Sequence, residues 1–191
     1  MNHLSRPLCT LLITVWAGFA GCAIYRGGAA KSPPEIAMNA AATGNTDRMQ
    51  AIDILEGYLA DAPDPDNTPW VMTWAGEQRR LAGDDELARQ WWNMVVSGYP
   101  EHTVANAATL GLAVLNARED PRGNVLATLQ MIGDRGVPDT LNADRHRILA
   151  RVAADDGASL AEIDELVAAA IHYAREDDQV RNRVEMMLSD L

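Results

Sequence analysis

The chain has 191 residues, 48% of them hydrophobic, and a formal net charge of −11. That is enough length and apolar content for one domain with a sizeable core or for a short repeat array, and too much apolar content for a disordered chain. The acidity argues against nucleic acid and against a polybasic membrane patch, because phosphates and anionic lipids are met by clustered Lys and Arg.

In chain order, the first segment is an export signal. Residues 1–7 carry Arg6, and residues 8–20 are apolar and uncharged. A charged start followed by a short apolar run is the pattern of a secretory signal. The run falls short of the roughly 20 apolar residues that a membrane-spanning helix needs. It ends Phe19-Ala20-Gly21-Cys22, and this resembles the bacterial lipobox, with Phe19 in the place usually held by Leu. The resemblance implies removal of residues 1–21 and a covalent lipid on Cys22. More than one acyl chain anchors stably, since each buried methylene contributes about 0.8 kcal/mol. Ala23 follows the cysteine where an Asp would retain an enterobacterial lipoprotein in the inner membrane. The resemblance therefore implies the outer membrane of a Gram-negative cell, with the domain facing the periplasm. Residues 22–32, rich in Gly and small side chains, are expected to form a flexible lipidated tether. Only Cys9 and Cys22 are present, so the body of the chain has no thiol for a disulfide, a zinc site or nucleophilic catalysis.

From residue 33 to 191 the pattern is helical. Ser32-Pro33-Pro34-Glu35, Thr68-Pro69, Asp84, Asp120-Pro121 and Ser159-Leu160-Ala161-Glu162 are helix starts, and apolar residues recur at helical spacing after each. Nine helices are expected, at about 33–42, 46–61, 69–82, 84–98, 103–117, 121–134, 142–154, 159–175 and 177–190. Short loops make them successive helical hairpins. The fold class is all-α.

The hairpins resemble one another. Ala51, Leu55 and Pro63 recur as Ala88, Trp92 and Pro100, 37 positions later. Leu110-Gly111 opens a third unit that Pro138 closes, and Leu149-Ala150 and Ala161 fall similarly in a fourth. This resembles the tetratricopeptide repeat, most closely over residues 69–102, where Gly76, Ala88, Trp92 and Pro100 match the small, small, large and closing positions. The resemblance implies a solenoid of about four repeats over 33–175, with residues 177–190 as a helix shielding the last hairpin.

The sequence carries no nucleophile elbow, zinc-protease pair, phosphate loop or dinucleotide fingerprint. His102, His146 and His172 are spaced too far apart for helical metal pairing and read as surface or helix-end residues. The acidic run Asp61, Asp64 and Asp66 fails as a calcium loop, because the sixth and twelfth positions are Asp66 and Met72. No metal, cofactor or small-molecule substrate is expected beyond the lipid on Cys22, and no enzyme activity. The repeat resemblance implies a partner groove lined by first helices. It places Trp70, Thr73, Glu77 and Arg80 there, and by analogy Asp144, Arg147 and Arg151. One aromatic anchor with several arginines is what interface hot spots use. The expected function is a membrane-anchored adaptor for other envelope proteins. The alternatives are a structural subunit of a larger envelope complex, which predicts apolar surface patches, and a small envelope hydrolase with paired carboxylates in a cleft.

Overall fold

A computed structural model describes residues 48–61, 64–175 and 177–189. All of them fall in one unit, Lys31–Leu191. The lipobox, the tether and the expected helix at 33–42 lie outside the described residues. The described chain is all-helical: α1 (Arg48–Ala60), α2 (Thr68–Leu81), α3 (Asp85–Gly98), α4 (Ala105–Asn116), α5 (Asn124–Met131), α6 (Asp139–Asp155), α7 (Leu160–Tyr173) and α8 (Asp178–Leu188). None of these is long and apolar enough to cross a membrane.

Local chemistry explains several of the boundaries. Asp84 accepts from the Leu87 amide at 3.2 Å, Ser159 from Glu162 at 3.3 Å and Asp177 from Val180 at 3.0 Å. Each bond satisfies an amide that the first helical turn leaves without a partner. Between α2 and α3, Gly83 takes φ +88°, a left-handed conformation that glycine adopts without a Cβ clash. The starts of α5 and α6 are among the boundaries that differ most from the sequence expectation. The Asp120 carboxylate takes the Arg122 amide at 2.9 Å and makes a turn, so α5 begins only at Asn124 and is a short helix. Pro138 does not close a unit. With ψ 135° it is the residue before the first turn of α6, and its carbonyl accepts from Leu141 and Asn142. The helix thus starts three residues early.

Successive helices pack as neighbours, and α2, α4 and α6 also meet one another. The main core joins α3, α4, α5 and α6 around Trp92, Leu110, Leu129 and Leu141. Trp92 is wholly buried and its ring fills the space between α2 and α4. The indole N–H donates to the Thr73 carbonyl at 3.0 Å. On one side the ring lies against Gly76, on the other against Gly111; a Cβ on either would come within 2.6 Å of a ring atom.

The last helix does more than shield a hairpin. Val180 and Val184 of α8 bury themselves with Ala170 and Ala174 at the end of α7, Ala143 of α6 and Leu81 of α2. Burying each valine stabilises by about 1.5–3 kcal/mol. At its start, Asp177 pairs with Arg48 of α1 at 3.1 Å, and Arg48 also reaches Gln78 and Gln179. The C-terminal helix therefore packs on α6 and the end of α2 and is tied back to α1.

Candidate functional site

The side chains expected to line a groove divide into two groups. Thr73, Glu77, Arg80 and Asp144 are buried. Their expected place on an open groove is corrected: Thr140 and Asp144 of α6 meet Glu77 and Arg80 of α2, and Arg183 of α8 closes on Asp144. The Thr73 hydroxyl is spent on the Pro69 carbonyl at 2.9 Å. Trp70 and Arg147 are half-buried and Arg151 is exposed. Cys22 lies outside the described residues.

Arg80 is the centre of a charged cluster. Its guanidinium grips Glu77 with two bonds, 2.8 and 2.6 Å, and reaches Asp144 of α6 at 2.7 Å. The side chains of Arg80 and Glu77 are each 1% exposed. Thr140 donates a further bond to Glu77. Asp144 also takes Arg183 of α8 at 2.9 Å and Arg147 at 3.1 Å. Burial pushes the Asp144 carboxyl up, but Arg80, Arg183 and Arg147 outweigh it and hold the pKa at about 2. Burial disfavours the Arg80 cation, and the two carboxylates more than restore it. A carboxylate held that low, with its oxygens taken, is a poor proton carrier at neutral pH. The cluster is a strut joining α2, α6 and α8.

A second polar cluster was not foreseen. His146 stacks face to face on Tyr173, with ring centres 5.7 Å apart and planes 8° apart. The Tyr173 hydroxyl donates to Asp134 at 2.6 Å, and Asn142 donates to the Asp134 carbonyl at 3.1 Å. Arg145, buried, pairs with Asp134 and donates to the Ile132 carbonyl. These bonds pin the loop between α5 and α6. Arg145 lies 3.0 Å from His146 Nε2 and has only donors, so Nε2 accepts and the ring proton sits on Nδ1. That Nδ1 is buried with no partner among the described residues. Of the other described histidines, His102 is edge-on to Trp70 at 6.0 Å, and His172 is edge-on to Tyr173 at 5.1 Å.

Burial, then the neighbouring Arg145 cation, lowers the His146 pKa from 6.5 to about 4. Asp134, 3.6 Å away, acts in the opposite sense but is already shared with Arg145 and Tyr173. Between these two values the unfolded chain binds the proton and the folded chain does not, so stability is complete above pH 6.5 and falls as the pH drops towards 4. The loss is on the order of 2–3 kcal/mol across that window. Urea midpoints measured from pH 7 to pH 4.5 should fall steadily, and His146→Gln should flatten the profile. A wild-type profile that is already flat would mean that the imidazole is solvated in the folded chain.

The accessible part of the arginine set surrounds two shallow recesses that share Arg147 and Arg151. One, of about 300 Å³, has Arg118 at its edge and Ala117, Pro121, Ile148 and Val152 as its apolar side. The other, of about 330 Å³, adds Arg183, Met186 and Met187 of α8. Arg118 pairs with Asp85 and Arg151 with Asp155, leaving both side chains about half exposed. Arg183 Nε is buried and has no partner among the described residues. Ahead of α2, Asp64 and Asp66 lie in or beside a turn. Asp64 accepts from the Asp66 amide and the Asn67 side chain, each at 3.1 Å. Among the described residues no group of His, Cys, Asp and Glu has the arrangement of a metal site.

No protein-family model, curated protein or solved structure matches this chain.

Proposed function

We propose that the chain is a lipid-anchored adaptor of the bacterial envelope, held by lipid on Cys22 at the outer membrane and facing the periplasm. Residues 33–191 serve as a tetratricopeptide-like domain that binds other envelope proteins. The observation that carries this reading is the serial helical packing around Trp92, in which a large residue of one helix seats on Gly76 and Gly111 of its neighbours. This is the small-and-large contact on which the repeat resemblance rests. The run Phe19-Ala20-Gly21-Cys22 supports the anchor. Anchoring contributes to binding by raising the effective concentration of the domain near membrane-bound partners.

The full chain expressed in a Gram-negative host should take up labelled palmitate and partition into the detergent phase. The Cys22→Ser chain should do neither. A wild-type chain that stays unlabelled and aqueous sinks the anchor. In-cell crosslinking of the wild-type chain that recovers no envelope protein sinks the adaptor.

One observation favours the second reading, a structural subunit. Met131 of α5 and Leu160 at the start of α7 are 84% and 80% exposed, and Ile171 is also exposed. A chain recovered from detergent only as a stoichiometric part of one large complex would favour this reading.

A further inference from the structure

We infer that the paired recesses around Arg147 and Arg151 form the docking surface, and that their ligand is a partner segment with a carboxylate flanked on both sides by aliphatic residues. The inference rests on the adaptor reading and names its surface. The charges support it. In and beneath the recesses lie five guanidiniums, those of Arg80, Arg118, Arg147, Arg151 and Arg183. Four carboxylates face them, those of Glu77, Asp144, Asp85 and Asp155. One cation is left over, on a chain whose net charge is −11.

The donors are also in excess. Among the described residues, Arg147 uses only Nε on Asp144, and Arg183 uses only Nη2 on the same carboxylate. Each guanidinium has five N–H donors in a planar fork that matches a carboxylate. Asp144 is locked by Arg80 from below, so it holds Arg147 and Arg183 in place without neutralising both. The fork is thus preorganised, which lowers the ordering cost of binding.

Size and lining define the rest of the ligand. Each recess admits an aliphatic side chain. Ile148 and Val152 form the apolar side of one, and Met186 and Met187 that of the other. Methionine adapts its shape to varied apolar partners. An anionic lipid surface is the poorer match. The recesses are small, and a planar surface reaches their apolar sides less well than single side chains of a peptide segment do.

The test uses the full chain in detergent and fluorescein-labelled peptide pools read by anisotropy. In one pool a central Glu or Asp is flanked by Leu, Ile, Val or Met; in the matched pool Lys replaces the acid. The acidic pool should bind in preference, and added salt should weaken it. Arg147→Glu/Arg151→Glu should reduce binding roughly tenfold or more. Arg147 touches the Asp144 strut, so Arg118→Glu/Arg151→Glu provides a second variant whose positions are exposed. It should lose binding with an unchanged circular dichroism melt. Equal binding of both pools, or acidic binding that both variants retain, overturns the inference. So does arginine-dependent binding of phosphatidylglycerol vesicles with no peptide binding. In cells, crosslinked partners that persist in Arg118→Glu/Arg151→Glu overturn the recess as the docking surface and leave the adaptor standing, while wild-type chain that recovers none removes the adaptor itself.

Discussion

Arg80→Met should destabilise the domain by about 3–5 kcal/mol, the cost of removing one partner from a buried ion pair. Methionine keeps most of the volume, so the loss is electrostatic rather than a cavity. Without the guanidinium, Glu77 retains only the Thr140 hydroxyl among the described residues, at a position 1% exposed. Asp144 fares better, since Arg147 and Arg183 remain. Glu77→Gln in the Arg80→Met background should therefore recover part of the loss, because it removes the stranded charge. The melting temperature of Arg80→Met should fall by on the order of 10 °C. A cost below about 1 kcal/mol would place the pair in the range of solvated surface bridges and refute the strut.

The same cluster sets an acid limit. The Asp144 pKa falls from 3.8 to about 2 on folding. A carboxylate lowered in the folded state contributes stability above its unfolded value and loses it as the pH drops through the folded one. That contribution is about 2 kcal/mol and disappears between pH 4 and pH 2. The His146 window lies above it, so acid should unfold the chain in two successive stages of weakening.

Trp92→Ala should cost about 3–5 kcal/mol, as expected for emptying a fully buried aromatic site. The reciprocal change tests the same contact from the other side. Alanine at Gly111 sets a Cβ 2.6 Å from the Trp92 ring, and Gly76 presses on the opposite face. The ring cannot retreat, so Gly111→Ala should cost about 1–3 kcal/mol despite alanine's better helix propensity. Gly57 in α1 is the control, because a Cβ there meets nothing within 4 Å. Gly57→Ala should stabilise by about 0.5–1 kcal/mol. One substitution thus has opposite signs at two helical sites. Gly111→Ala paired with Trp92→Phe should cost less than the sum of the single changes, since the smaller ring makes room for the methyl group. Additive losses in that cycle would show that the two residues do not touch.

The helices and their joints were legible along the chain because their causes are local. Asp84 and Ser159 cap the amides three residues ahead of them, and such signals need no distant partner; the cap by Asp177 was not among the expected starts. The Gly76 and Trp92 pair was also visible, as a small and a large residue at repeat spacing. The misplaced starts of α5 and α6 arose where one residue type serves two purposes. Asp120 bound the turn rather than the helix, and Pro138 began a helix instead of closing one.

The destination of the charged residues was not legible. The repeat resemblance implied an open groove for Glu77, Arg80 and Asp144, because it carries positions over from a pattern and not from this chain's own partners. Their burial depends on partners 64 positions apart, Arg80 with Asp144, and on α8 packing on α6 and the end of α2. His146 likewise reads as a helix-surface residue until Tyr173 and Arg145 enclose it. Local propensity and capping act over a few residues, so the chain announces them in order. Burial of a charge is a balance between desolvation and partners brought from elsewhere, and it exists only once the helices have met. The same meeting leaves Trp70, Arg147 and Arg151 as the members of the expected set that are not buried.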